Sequence, residues 1–216
     1  MIKLYGRATS SNVQHVLWCL AELGLEYERE DRGHSYGGVD TPEYLAMNPN
    51  GLVPVLVDGD DAPLFESAAI TRYLASKYGD GGAFWPSDPA KRAQVDKWAE
   101  WGKVTWAHAV GQGVFWPLVR TSPKDRDPAK IEAAMSAMNR AASLLNGQLS
   151  TRPYIAGDTF TLADLATGYM LYRYFTIDFE RSDFPAISAY YDRLQTRAAF
   201  RDHVMISYEV LRAPGA

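Results

Sequence analysis

The sequence contains a single cysteine and no long apolar run. With Cys19 alone, the chain forms neither an internal disulfide scaffold nor an internal dithiol redox pair. No apolar segment approaches the roughly 20 residues needed to cross a bilayer. Residues 1–6 read as a strand rather than as a secretory signal. These absences favour a cytoplasmic protein with no membrane partner.

Basic residues are not in excess either. Lysine and arginine total 22 against 26 aspartates and glutamates, which gives a formal net charge of −4. Nucleic acids and anionic membranes attract proteins with a concentrated basic surface, so neither is expected as the main partner. Neither His15 nor His108 has a cysteine, histidine or carboxylate neighbour at a metal-ligand spacing, so no metal site is predicted.

Residues 1–79 alternate short strands with helices. Ile2–Tyr5 favours a strand, and the polar residues Thr9–Asn12 open a helix that ends near Gly24. The order β-α-β-α-β-β-α predicts one small mixed sheet covered by helices. Residues 80–89 are rich in glycine, proline and aspartate and predict a linker.

Residues 90–216 carry no strand signal and predict an all-helical domain. An apolar stripe at helical spacing runs from Ile131 to Leu149. Thr161–Asp164 has the form of a capping box, with aspartate in place of the usual glutamate. The predicted architecture is therefore an α/β domain followed by a helical bundle.

The segment Asn48–Leu56 is the most specific motif. Proline at the start of a strand is tolerated only at an edge or a bend, so Pro54 marks such a position. An X-Pro bond adopts the cis form cheaply, and a cis Val53–Pro54 bond would turn the Val53 backbone outward. That backbone could then pair with an extended peptide as one more strand does. The alternative is that Pro54 only limits the strand.

A strand ends and a helix begins at Phe65–Ser67. A helix N-terminus suits a carboxylate, and the Ser67 hydroxyl adds a donor. Glu66 can receive an ammonium group, so this short unit is suited to the head group of an α-amino acid. The alternative is that Ser67 serves only as an N-cap.

The cluster Thr9-Ser10-Ser11-Asn12 lies at the start of the first helix. A hydroxyl or amide here, backed by helix N–H groups, can favour a thiolate over its thiol. Lowering a thiol pKa by about 2 units makes the thiolate common at neutral pH. Ordinary helix capping is the alternative for each residue alone.

Together with Glu66–Leu74, read as Glu-Ser-x-Ala-Ile-x-x-Tyr-Leu, these motifs resemble the soluble glutathione transferases. The resemblance continues in the second half. Gly157–Asp164 resembles the helix-capping segment of that family, and Trp98–Trp101 with Phe115–Arg120 resembles a bacterial theta-, beta- or nu-like branch. It implies a thioredoxin-like domain, a helical domain, glutathione as co-substrate, a small electrophile and a homodimer.

The resemblance also implies residue roles. Glutathione would lie along Val53 and Pro54, with its γ-glutamyl end at Glu66 and Ser67. The thiolate would be held by Ser10, with Asn12, Ser11 and Thr9 as alternatives. Gly51 stands where relatives often keep a lysine or histidine, which leaves the glycine carboxylate of glutathione to Asn50, His34 or Tyr36. Apart from the resemblance, Trp98, Trp101 and Trp106 fall about one helical turn apart, a spacing more typical of a core or an interface. The alternative is that Trp106, with Trp116 and Tyr169, lines the second-substrate pocket.

Three functions remain open from the sequence. The first is conjugation of glutathione to an electrophile held in an apolar pocket. The second uses the same thiolate for disulfide or peroxide reduction or for dehalogenation. The relatives that reduce dehydroascorbate or hydroquinones carry a cysteine at the start of the first helix. Cys19 lies inside that helix instead, where a buried and inert thiol is expected. The third is a non-catalytic binding module, which the intact set Val53, Pro54, Glu66 and Ser67 disfavours.

Overall fold

A four-stranded mixed sheet forms the N-terminal half. The computed structural model describes all 216 residues. The strands are β1 (Ile2–Tyr5), β2 (Tyr27–Glu30), β3 (Val55–Asp58) and β4 (Leu64–Phe65). Their order in the sheet is β2-β1-β3-β4, with β1 parallel to β2 and antiparallel to β3, and β3 antiparallel to β4. The predicted mixed sheet, with a parallel beginning and an antiparallel end, is confirmed.

Three α-helices accompany the sheet: α1 (Ser11–Glu22), α2 (Pro42–Met47) and α3 (Ser67–Tyr78). A 3-10 turn at His34–Tyr36 lies between β2 and α2. Thr41 caps α2 by accepting a hydrogen bond from the Tyr44 N–H, and Pro42 occupies the first helical position, where its missing N–H costs nothing. The βαβαββα order of a thioredoxin-like domain is confirmed.

The second half is entirely helical. Its helices are α4 (Pro89–Trp101), α5 (Ala107–Val110), α6 (Pro128–Leu149), α7 (Leu162–Gly168), α8 (Leu171–Thr176), α9 (Pro185–Gln195) and α10 (Ala198–His203). Gly102–Trp106 and Gly111–Arg120 are π-helical and join α4 and α5 into one long helical stretch. Short 3-10 turns occur at Pro123–Asp125 and Glu209–Leu211. None of these helices qualifies as a membrane span, since none combines sufficient length with sufficient apolar character.

The start of α7 is the predicted capping box. The Thr161 Oγ1 accepts from the Ala163 N–H, and the Asp164 carboxylate accepts from the Thr161 N–H at 2.7 Å. The same carboxylate accepts from the Ile155 N–H and the Tyr190 hydroxyl, both at 2.8 Å. Asp164 is fully buried, and burial raises its pKa to about 6. The hydrogen bonds to the carboxylate oppose this shift, because they stabilise its charged form. The box therefore joins three segments of the bundle.

One hydrophobic core extends through both halves of the chain. Trp18 of α1 packs edge-on against Phe200 of α10, with ring centroids 4.9 Å apart, and Glu22 of α1 pairs with Arg197. Cys19, also on α1, is fully buried, and burial raises its thiol pKa. The expectation of a buried thiol is confirmed. Because α1 is fixed between the sheet and the bundle, its N-terminus lies at the boundary of the two halves.

Candidate functional site

The backbone of Val53 is presented at the edge of the cleft between the two halves. The Val53–Pro54 bond is cis, which is the first of the two alternatives that the sequence leaves open. The preceding loop is fixed because the Leu52 carbonyl accepts from the Asn48 amide and the Tyr44 hydroxyl, both at 2.8 Å. The N–H and C=O of Val53 take part in no backbone hydrogen bond within the chain. They remain available to an extended peptide.

The structure gives less support to the residues considered for the glycine carboxylate of glutathione. The Asn50 side chain is exposed, and its amide donates to the Asn48 Oδ1 at 3.0 Å. His34 and Tyr36 are exposed and line a neighbouring cavity of about 380 Å³ together with Arg7. That cavity does not include Val53.

The junction of β4 and α3 has unusual backbone geometry. Glu66 has a φ of +68°, in the left-handed region that residues other than glycine rarely adopt. Such conformations cost on the order of 1–3 kcal/mol and are concentrated at functional sites. Ser67 then opens α3, and its side chain is almost fully buried. Its Oγ accepts a hydrogen bond from the Lys103 Nζ at 2.9 Å.

Lys103 is a site residue that the sequence analysis missed. Its Nζ also donates to the Asn12 Oδ1 at 2.6 Å and lies 3.4 Å from the Tyr169 hydroxyl. Burial lowers the pKa of this ammonium group to about 8, while Glu66 and Glu100 raise it. The cation thus links α1, α3 and the helical domain at one point. No spacing in the sequence relates Asn12, Ser67 and Lys103, because only the tertiary fold brings them together.

Gly102 explains how Lys103 reaches this position. A Cβ on Gly102 would lie 2.4 Å from the Thr167 Oγ1 and 2.9 Å from the Ala166 carbonyl oxygen. The missing side chain therefore permits close contact between the π-helical segment and α7. Irregular turns of this kind occur frequently at functional sites.

The four polar residues at the start of α1 are brought together at the cleft. Thr9, Ser10, Ser11 and Asn12 line a cavity of about 280 Å³ with Val53. Ser10 is the N-cap, but its hydroxyl makes no capping hydrogen bond and is free to donate to a ligand. The Asn12 Oδ1 is engaged by Lys103, which leaves the amide N–H groups as donors.

The predicted second-substrate residues separate into three positions. Trp116 is 45 % exposed and lines the cleft. Tyr169 is buried behind Asn12, where its ring stacks on His15 with centroids 4.7 Å apart. Trp106 is fully buried, and its indole N–H donates to the Thr167 carbonyl at 3.1 Å. The prediction that Trp106 lines the pocket is wrong, because the helical stretch directs this ring into the core against Tyr174.

Three arginines complete the cleft wall, and the sequence analysis did not identify them as site residues. Arg7, Arg120 and Arg173 line the same cavity as Ser10 and Val53, beside Phe115 and Trp116. The Arg173 guanidinium donates to the Thr9 carbonyl at 2.8 Å. The cleft therefore combines an aromatic surface with a concentrated positive charge. The structure contains no group of three histidine, cysteine, aspartate or glutamate side chains arranged to hold a metal ion.

Comparison with known proteins agrees with this geometry. Residues 9–77 match the model of the glutathione S-transferase N-terminal domain, and residues 107–198 match that of the C-terminal domain. The chain is 40 % identical over 207 residues to the glutathione S-transferase GstB of Escherichia coli, covering 95 % of this chain and 99 % of the relative. It is 37 % identical over 167 residues to glutathione S-transferase 3 of Zea mays, covering 76 % of this chain and 73 % of the relative.

A similar solved structure is the glutathione-bound theta class glutathione S-transferase of Xanthomonas axonopodis pv. citri. The two share 40 % identity and a TM-score of 0.88, over 96 % of this chain and 98 % of the other. A delta-class glutathione transferase of Nilaparvata lugens has a TM-score of 0.86 at 26 % identity, with 98 % of each chain covered. Both halves of the fold, the cis Val53–Pro54 edge and these relatives agree: the chain belongs to the glutathione S-transferase family.

Proposed function

We propose that this transferase binds glutathione along the Val53 edge, holds its thiolate at the start of α1 and conjugates it to a small electrophile in the cleft. The observation that carries the proposal is that the unpaired Val53 backbone, the free Ser10 hydroxyl and Asn12 line one cavity. Asn12 is hydrogen-bonded to Lys103, which also donates to Ser67 at the start of α3.

The γ-glutamyl end is assigned to Glu66, Ser67 and Lys103. The carboxylate of this head group meets the N-terminus of α3, where unpaired N–H groups and the helix dipole favour an anion. The Lys103 ammonium lies 2.9 Å from the Ser67 Oγ and supplies the opposite charge. Glu66 is exposed at the same junction and receives the ammonium group of the ligand.

The thiolate is assigned to Ser10, with Asn12 as second donor. The Ser10 hydroxyl has no competing capping bond, and the Asn12 amide is oriented by the Lys103 hydrogen bond at 2.6 Å. Two donors at a helix N-terminus favour the charged sulfur over the thiol. Catalysis then comes from thiolate stabilisation and proximity.

The cytoplasmic location and the homodimer implied by the family resemblance remain part of this proposal. Sedimentation of the purified protein measures the second: a molecular mass near twice the 24.1 kDa of one chain supports a dimer, whereas a single-chain mass contradicts it.

The test compares wild type, Ser10→Ala and the neighbouring control Ser11→Ala. We expect wild type to be retained on immobilised glutathione and to conjugate an activated aryl halide. A binding module that has lost the site would wash through, and a reductase would act on organic disulfides or peroxides in place of the halide. Loss of one anion-stabilising donor costs about 100-fold in kcat, so Ser10→Ala should fall by that order. If Ser11→Ala falls instead, the assignment to Ser10 is wrong.

A further inference from the structure

Three arginines line the cleft, and none of them is among the proposed contacts of glutathione. Arg7 precedes α1, Arg120 ends the long helical stretch, and Arg173 belongs to α8, so three separate elements direct a cation toward one cavity of about 280 Å³. No aspartate or glutamate lines that cavity. None of the three arginines belongs to any of the ion pairs in the structure.

The guanidinium groups are held in place without counter-charges. Arg173 is only 5 % exposed and lies over the Phe115 ring at 4.2 Å, and Arg120 lies over the Trp116 ring at 4.6 Å. The Nε atoms of Arg7 and Arg173 are buried and have no hydrogen-bond partner. A buried donor that is left unpaired is costly, and a buried charge without a partner is more so.

The electrostatics of the cluster point in the same direction. Burial lowers the pKa of Arg173 to about 10; Tyr169 and Tyr208 oppose this shift, and repulsion from Arg7 and Arg120 adds to it. Burial, followed by repulsion from Arg120, lowers the pKa of Arg7. Guanidinium groups stay charged at neutral pH, so the cluster is a standing positive field that an anion relieves.

We propose that the electrophile of this transferase has an apolar body and carries an acidic group, a carboxylate or sulfonate, which Arg7, Arg120 and Arg173 bind while its reactive carbon meets the thiolate. The inference rests on the proposed function and names its substrate class. The Thr9 carbonyl, which accepts from Arg173, precedes Ser10 by one residue, so the anion site adjoins the thiolate site. Phe115 and Trp116 supply the surface for the apolar body.

For an acidic aryl chloride the step balances without a further reactant. The glutathione thiolate forms a sulfur–carbon bond at the ring carbon that carries chlorine. The carbon–chlorine bond then breaks, and chloride leaves with the electron pair. The arginine-bound acid group stays ionised throughout.

The test measures kcat/KM for 4-chloro-3-nitrobenzoate and for the neutral 4-chloro-3-nitrobenzamide, each divided by its uncatalysed rate with glutathione. Wild type should prefer the benzoate, and Arg120→Gln and Arg7→Gln should each lower the benzoate-to-benzamide ratio by about tenfold, the effect of one charge-assisted contact. The control Arg140→Gln, at an exposed position on α6, should keep the wild-type ratio.

The outcomes separate this inference from the proposed function. If wild type conjugates both compounds with equal normalised efficiency, or prefers the benzamide, the acidic substrate class is overturned and the transferase activity stands. If the variants raise KM for glutathione and leave the ratio unchanged, the arginines serve the glycine carboxylate of glutathione and the inference is likewise overturned. If wild type conjugates neither compound nor any other electrophile, the proposed function itself fails.

Discussion

Replacing the buried ammonium group of Lys103 should change how the stability of the protein depends on pH. Burial lowers the pKa of Lys103 from its ordinary 10.5 to about 8 in the folded, ligand-free protein. Between these values the unfolded chain holds a proton that the native state has released. Stability therefore rises with pH in this window, by up to about 1.4 kcal/mol per pH unit. Lys103→Met removes this contribution.

The magnitude follows from the two pKa values. Below pH 8 the lysine is charged in both states, and its contribution to the pH dependence is close to zero. From pH 7.5 to pH 9.5 the free energy of unfolding of wild type should gain about 2 kcal/mol relative to Lys103→Met. The comparison with the variant cancels the titration of the groups that the two proteins share.

The assay is urea unfolding of both proteins at pH 7.5, 8.5 and 9.5, at one fixed protein concentration and without glutathione. Lys97→Met, an exposed position on α4, is the matched control and measures the effect of removing a lysine that is not buried. A difference between wild type and Lys103→Met that stays constant across the three pH values would refute the reasoning, because the Lys103 ammonium would then not be desolvated.

Two further predictions concern the elements that support the site. Gly102→Ala should destabilise the protein by about 1–3 kcal/mol, since the new Cβ meets the Thr167 Oγ1 at 2.4 Å, and it should raise KM for glutathione by displacing Lys103. Thermal unfolding measures the first effect and steady-state kinetics the second. An unchanged KM would contradict the role of Gly102 in positioning Lys103. Asp164→Ala should cost about 3 kcal/mol or more, because it removes the acceptor of four buried donors: the N–H groups of Ile155 and Thr161 and the hydroxyls of Thr161 and Tyr190. Asp158→Ala, at an exposed position, should cost less than about 0.5 kcal/mol in denaturant unfolding.

Local patterns were sufficient to predict much of the fold. The cap chemistry of Thr161 and Asp164 depends on residues three apart, and the chain forms that box as predicted. At Val53–Pro54 the sequence leaves two alternatives, because a proline at a strand start is tolerated only at an edge or a bend, and the chain adopts the cis bond.

The parts of the site that could not be predicted depend on contacts between distant segments. Lys103 meets Asn12 across 91 residues and Ser67 across 36, and no periodicity encodes such contacts. Trp106 and Trp116 were equivalent in the sequence, yet one is fully buried and the other is 45 % exposed. Helical spacing shows which residues share a face of a helix, but not whether that face packs in the core or lines the cleft.

The most direct test of the account is the pKa of the glutathione thiol when bound to the protein, followed by the ultraviolet absorbance of the thiolate as pH is varied. We expect the thiol pKa in wild type to lie about 2 units below that of free glutathione, and Ser10→Ala to return it most of the way, because the hydroxyl at the start of α1 stabilises the charged sulfur. A bound thiol that titrates like free glutathione in wild type, or an unchanged pKa in Ser10→Ala, would contradict it.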